Sequence, residues 1–333
     1  MMTVSPVILI TWPRFRADDP ETGGRLTSAG YQVRHAPYGG RRCPEELIEL
    51  LDGAVGAIVS GDPFTAEVFV ASPLLRVVAR TGVGLDSIDT DAAEKAGVTL
   101  FTTPGLNHNA CADHTMALIL ALVRRLVEND AAVRKGHWDR AGRLSGGELT
   151  GARVGLIGLG RIGRAVARRL EGFEVEIRVY DPETTDASPY QLTTLEDLMH
   201  WSDIVSIHCP LTQATRNMIG SRQLASARPG LLLINTARGA IVDEVALAAA
   251  IRSGQVAGAG LDVFGVEPPH DSELLRFPEV VVSPHIAGLS GKSMRLMLEQ
   301  CIDNVLEFLD APPAPEGTPT IPTSDSDPVL LRR

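Results

Sequence analysis

Short apolar runs recur along the chain, each followed by a stretch of helical periodicity. Val7-Ile8-Leu9-Ile10, residues 53–60 (Gly-Ala-Val-Gly-Ala-Ile-Val-Ser) and Leu75 to Ala79 are such runs. They lack polar alternation, as strands buried on both faces do. Pro44 to Leu51 carries a helical pattern between two of them. A second series begins at Arg153, with strands expected near 153–158, 176–180, 204–208, 231–235, 257–261 and 280–282. Strands alternating with helices predict parallel sheets covered on both faces. The expected fold class is therefore α/β, with two Rossmann-like, doubly wound domains.

Three segments stand outside this rhythm. Asn109 to Val127 reads as one long helix, apolar nearly all round and so buried. Ala131 to Gly147 is more polar and carries Trp138. Ser290 to Leu309 is an amphipathic helix that reads as returning to the first domain. The expected organisation is a flavodoxin-like substrate domain of residues 1–104 plus 290–310, with a nucleotide-binding domain of residues 105–289 inserted into it. Residues 311–333, rich in Pro, Ser and Thr, form an expected disordered tail.

Length and charge narrow the class. A chain of 333 residues suits two domains. The net charge of −10 and the lack of a long basic run argue against a nucleic-acid partner. No apolar run reaches the ~20 residues of a membrane helix, and the N-terminus has no basic region before Val4 to Ile10. Cys43, Cys111, Cys209 and Cys301 show no paired spacing. They read as reduced thiols of a cytoplasmic protein, with neither a disulfide framework nor a metal site.

The clearest chemical signal starts at Arg153. The apolar strand meets Gly158-Leu159-Gly160-Arg161-Ile162-Gly163, a Gly-x-Gly-x-x-Gly turn that opens a helix. Gly158 permits the tight turn, Gly160 lets backbone amides approach a pyrophosphate, and Gly163 lets the helix pack on the strand. Phosphates then sit at the helix N-terminus, where free N–H groups and the dipole favour negative charge. Asp181 ends the next strand, 18 positions after Gly163. It suits the adenosine ribose hydroxyls. Asp181 and Glu183 would repel a 2′-phosphate, so NAD is expected over NADP.

Three later segments each end a strand with a charged or titratable residue: Arg238, Glu267 and His285. Ligands of open parallel sheets bind at the carboxyl ends of strands, so these loops converge. A guanidinium can hold a 2-oxo acid's carboxylate and polarise its carbonyl. A histidine can protonate the developing alkoxide, and a carboxylate beside it fixes its tautomer. The set reads as the catalytic machinery of a hydride-transferring enzyme.

With these motifs the chain resembles the D-isomer-specific 2-hydroxyacid dehydrogenases, most closely their phosphoglycerate dehydrogenase-like branch. The resemblance runs from Leu74 to about Asp310. It includes Arg80-Thr81-Gly82-Val83-Gly84-Leu85-Asp86, and Thr103-Pro104-Gly105 through Asp113-His114-Thr115. It implies that the amides of Val83 and Gly84 bind the substrate carboxylate together with Arg238, with His285 also contacting the substrate as its general acid. It implies that Arg161 and Ile162 contact the pyrophosphate, and that Cys209 and Pro210 lie beneath the adenosine. Thr236, Ala237, Asp262, His285 and Gly288 are implied on the nicotinamide side, with Asp262 bonding the carboxamide. It also implies a homodimer. A corepressor-like NAD sensor on the same fold is the alternative, because such proteins keep these residues.

The chain departs from the family pattern in places. Ser60-Gly61-Asp62-Pro63 stands where phosphoglycerate dehydrogenases tend to carry cations. Asp62 is expected to repel a phosphate there unless Arg14, Arg16, Arg41 or Arg42 supplies the charge. Activity is therefore expected with compact acids such as glyoxylate or hydroxypyruvate, and with the phosphoglycerate-type acid 3-phosphohydroxypyruvate only on condition that such a cation is supplied. Asp113 replaces a more usual Glu. His108 reads as a helix-opening residue, with a substrate-facing role as the alternative. Cys111 and His114 read as core packing.

Overall fold

The computed structural model describes residues 5–140, 142 and 144–311. These form two compact units, one ending at Asn107 and resuming at Gly291, the other spanning His108–Ser290. The tail expected to be disordered lies, from residue 312 on, outside the described residues.

The first unit holds five parallel strands: β1 (Val7–Ile10), β2 (Gln32–His35), β3 (Ala54–Val59), β4 (Val77–Arg80) and β5 (Thr99–Phe101). Their order is β2-β1-β3-β4-β5. One sheet face, with Ile8, Ile10, Ile58 and Val77, packs on Met297, Cys301, Ile302 and Val305 of the helix Gly291–Asp310. The other, with Leu9, Ala57 and Val59, packs on Leu47 and Val68. Burial on both faces explains why β1 and β3 read as continuous apolar runs. Strand β2 is an edge strand with partly exposed positions, and β5 has three residues, so neither stood out in the sequence.

The second unit holds seven: β6 (Arg153–Ile157), β7 (Glu176–Tyr180), β8 (Gln191–Leu192), β9 (Ile204–Ile207), β10 (Leu231–Asn235), β11 (Val256–Leu261) and β12 (Val280–Val282). The order β12-β11-β10-β9-β6-β7-β8 reverses between β9 and β6, and every pair is parallel. One face packs on the helix Glu244–Arg252 through Leu247 and Ile251. The other packs on the helices His108–Val123 and Arg161–Glu171, through Ala112, Met116, Ala165 and Val166. Glycines let the first of these approach: a Cβ on Gly260 would lie 3.0 Å from that of Leu118.

The long helix is shorter than its apolar pattern predicts. It ends at Val123, and a separate helix spans Leu126–Arg134. Arg125 between them is left-handed, with φ of 48°. The returning chain closes the first helix, because the Gly147 amide donates to the Val123 carbonyl at 2.8 Å. Among the described residues no helix is long and apolar enough to cross a membrane.

Candidate active site

The strand order of the second sheet reverses between β9 and β6, and in open parallel sheets ligands bind beyond the carboxyl ends of the strands at such a reversal. The glycine turn lies there. Gly158 has φ of 93°, and a Cβ on it would lie 2.8 Å from the Cys209 amide. A Cβ on Gly163 would collide with the Gly158 carbonyl, so the helix Arg161–Glu171 needs glycine to reach its strand. A Cβ on Gly160 would meet nothing within 4 Å. That open space lies at the helix N-cap, beside exposed Arg161 and half-buried Ile162. It fits a pyrophosphate approaching backbone amides.

Asp181 follows β7 and is partly buried. One carboxylate oxygen accepts from the Leu159 amide at 2.7 Å, and the other from Glu183 and Thr184 at 3.0 and 3.2 Å. Asp181 thus ties its own loop to the glycine turn. After β9, His208 places its Nε2 2.9 Å from Ser206 Oγ. Burial pushes the His208 imidazole down to about 3, so it is neutral at physiological pH. Burial likewise pushes the Cys209 thiol up to about 11, so it stays protonated at physiological pH. Pro210 beside it is exposed.

Arg238 follows β10 on a loop that its own strand fixes. Asn235 accepts from the Ala237 amide at 3.0 Å and donates to the Arg238 carbonyl at 2.9 Å. The Arg238 guanidinium donates to the Ala237 carbonyl at 2.7 Å and is half-buried. Thr236 is buried. Gly239 is needed next, because a side chain there would collide with the backbone of Phe264.

Glu267 and His285 meet after β11 and β12. Glu267 Oε2 lies 2.8 Å from His285 Nδ1, and Oε1 accepts from the Phe264 amide at 3.1 Å. Burial raises the Glu267 carboxyl, but His285, the Phe264 amide and Arg238 outweigh it and hold the group below its ordinary value. The Glu267 loop is gripped by Glu244, which accepts from the Gly265 amide at 2.6 Å and the Ser272 hydroxyl at 2.9 Å. The His285 loop is gripped by buried Asp262. Its side chain accepts from the amides of Ile286 at 2.9 Å and Ala287 at 2.7 Å, and from Ser283 Oγ at 2.6 Å. Its carbonyl accepts from the His285 amide at 2.8 Å. Gly288 follows directly and is partly buried.

Asn235 and Glu244 were not singled out in the sequence. The only hint of Asn235 is a polar residue ending an apolar strand, and Glu244 resembles an ordinary first-turn acid.

In the first unit, Val83 is 51% exposed and Gly84 half-buried, on a loop after β4. Arg80 donates to the carbonyls of Gly84 at 3.1 Å and Thr81 at 2.8 Å, while Thr103 Oγ1 accepts from the Gly82 amide at 2.8 Å. These bonds hold that loop from within the unit. Asp62 corrects an expectation. It is fully buried, pairs with Arg42, and accepts from Thr11 Oγ1 at 2.5 Å and the Ser60 amide at 3.2 Å. Its charge is neutralised internally, so it is not the exposed repulsive acid that the local sequence implied. His108 is the first residue of the helix His108–Val123.

The model of the D-isomer specific 2-hydroxyacid dehydrogenase NAD binding domain matches residues 116–287. The chain belongs to the D-isomer specific 2-hydroxyacid dehydrogenase family. NAD is accordingly its cofactor, and the open space at Gly160 on the helix N-cap fits it. Among curated members, a D-3-phosphoglycerate dehydrogenase of Mycobacterium leprae is 44% identical over 232 residues, 68% of this chain. The chain spans only 44% of that relative's length. A glyoxylate reductase of Korarchaeum cryptofilum is 43% identical over 255 residues, 74% of this chain and 77% of the relative. Among solved structures, a D-lactate dehydrogenase of Aquifex aeolicus complexed with NAD and lactic acid has a TM-score of 0.80 at 29% identity. It covers 91% of this chain and 95% of its own. The two-domain fold with one Rossmann-like domain inserted in the other is thereby shared with solved members of the family.

Proposed function

We propose that this chain is an NAD-dependent oxidoreductase that interconverts small 2-oxo acids and D-2-hydroxy acids. The observation that carries the reading is the 2.8 Å Glu267–His285 pair, one strand end away from Arg238, in the unit that holds the glycine cradle. When bound, the reduced nicotinamide supplies a hydride to C2 of the acid. Arg238 holds the carboxylate and draws electron density from the C2 carbonyl. His285 holds on Nε2 the proton that the developing alkoxide takes. Glu267 accepts the Nδ1–H, fixing that orientation and stabilising the imidazolium. In the oxidising direction His285 acts as the base. Thr236, Ala237, Asp262 and Gly288 line the nicotinamide side, and Arg161, Ile162, Cys209 and Pro210 the pyrophosphate and adenosine. In the first unit, the braced loop at Val83 and Gly84 offers its amides to a carboxylate.

We propose glyoxylate or hydroxypyruvate as the preferred substrate type. The repulsion argument from Asp62 falls away, yet the same ion pair removes Arg42 as a phosphate ligand. Its guanidinium is engaged with Asp62 and the carbonyls of Ala36 and Pro37. Arg16 pairs with Asp18, but both side chains are exposed, so that pair leaves its charge available. The test is kcat/KM for glyoxylate, hydroxypyruvate and 3-phosphohydroxypyruvate in one buffer. We expect the phosphorylated acid to be the poorest. A tenfold preference for it, about 1.4 kcal/mol, would overturn the assignment and point to Arg14, Arg16 or Arg41.

A homodimer completes the proposal. The helix Leu126–Arg134 buries no residue, and Leu126, Val127, Val133 and the following Trp138 are exposed. Large apolar side chains left exposed along one short segment are what an association surface would cover. Light scattering should give about twice 35.6 kDa; a monomer at micromolar concentration would refute it.

A further inference from the structure

His114 and Thr115 are consecutive on the helix His108–Val123. A helix turns about 100° per residue, so their side chains leave in different directions. Thr115 Oγ1 donates to the Cys111 carbonyl at 2.8 Å and lies 3.0 Å from Thr236 Oγ1. Its one proton is used, so Thr236 donates to it. His114 takes the other direction, toward the loop after β12, where its Nε2 lies 2.7 Å from Ser283 Oγ.

The direction of that bond follows from proton counting. Ser283 Oγ also lies 2.6 Å from Asp262 Oδ1. A carboxylate only accepts, and a hydroxyl has one proton to give. Ser283 therefore donates to Asp262 and accepts from His114, which carries its proton on Nε2. The series runs His114 to Ser283 to Asp262, and His114 Nε2 is 3.6 Å from the same Oδ1. Asp262 is fully buried, and a buried carboxylate depends on every donor it has. Its remaining bonds fall on the amides of His285, Ile286 and Ala287. They hold His285 at φ of 55°, a left-handed conformation that a residue with a Cβ keeps only when its surroundings impose it.

We infer that His114 is a positioning residue for the His285–Glu267 pair, acting through Ser283 and Asp262. This rests on the proposed function for its kinetic consequence, though not for the geometry. It replaces the reading of His114 as core packing: its side chain is 23% exposed and holds a polar partner 169 positions away.

The test uses the full chain carrying H114A, H114Q, S283A and the double substitution H114A/S283A. Turnover of hydroxypyruvate with NADH is measured alongside hydrogen–deuterium exchange of peptides covering residues 283–289. Misplacing a catalytic group by about 1 Å can cost on the order of 10²-fold. H114A and S283A should each lower kcat by about tenfold or more, with a much smaller change in KM for NADH. The double substitution should be no worse than the more severe single one, because both break the same series. H114Q, which puts an N–H where Nε2–H was, should recover most of the rate. Exchange at Ile286 and Ala287 should quicken in H114A and return toward wild type in H114Q. Losses that multiply in the double variant, or H114Q as impaired as H114A, would overturn the inference. If H114A does not fold, H114Q and S283A decide by the same criteria. If the wild type turns over no 2-oxo acid, the functional reading fails separately. Exchange then decides: protection unchanged in H114A overturns the positioning role, and protection lost supports it.

Discussion

Glu267 and His285 are 18 positions apart in sequence, on loops following different strands, yet share one short hydrogen bond. Removing a positioned acid typically costs about 10²–10⁴-fold, so H285A should lower kcat by that amount and leave NADH affinity nearly intact. Stopped-flow NADH binding with steady-state rates checks both halves; normal turnover would contradict the assignment. E267Q should cost less, since it leaves the proton donor in place. Its acid stability should also change. Glu267 is held below its ordinary value of 4.5 in the folded chain. Its stabilising contribution is therefore complete above that pH and is lost as pH falls through the folded value. Thermal midpoints measured on acidification below pH 4.5 should fall faster in wild type than in E267Q. Equal slopes would count against the pairing. The placing of Arg238, Glu267 and His285 on loops at a sheet's carboxyl end was legible because each follows an apolar strand. Asp62 and His114 were misread for one reason. Their partners, Arg42 and Ser283, lie 20 and 169 positions away, and nothing local announces them.

At the scale of elements, burial decided what could be read. Strands β6, β7, β9, β10, β11 and β12 fall within a residue or so of their expected positions, because most bury apolar side chains between helix layers. Strand β8 has two exposed residues and left no trace in the pattern. The long apolar helix was over-extended because hydropathy does not register a left-handed Arg125 or a cap supplied by Gly147. The glycine turn makes an element-level prediction that separates packing from binding. A methyl on residue 163 would strike the Gly158 carbonyl, whereas one on residue 160 would meet no atom within 4 Å. G163A should therefore lose stability, roughly 1–3 kcal/mol for overpacking. G160A should melt like wild type while NADH binding weakens about tenfold or more, ~1.4 kcal/mol. Calorimetry and NADH titration distinguish them; a destabilised G160A that binds NADH normally would contradict the assigned roles.

At the scale of the molecule, the chain forms two units, each built on a parallel sheet. The seven-stranded unit carries the glycine turn, Arg238, Glu267 and His285. The five-stranded unit carries the Val83–Gly84 loop and the Arg42–Asp62 brace, and it is completed by the helix Gly291–Asp310. Insertion of one domain in the other was legible because a final amphipathic helix follows the second strand series. Substrate identity was less so, since it depends on which cations face the ligand and which are engaged elsewhere. The most direct measurement is the fate of NADH mixed with hydroxypyruvate and the purified chain, with the enantiomer of the glycerate product determined. We expect stoichiometric NADH oxidation yielding D-glycerate, abolished to background level in a variant carrying both R238A and H285A. No oxidation with any 2-oxo acid, an L product, or undiminished turnover by that variant would contradict the account.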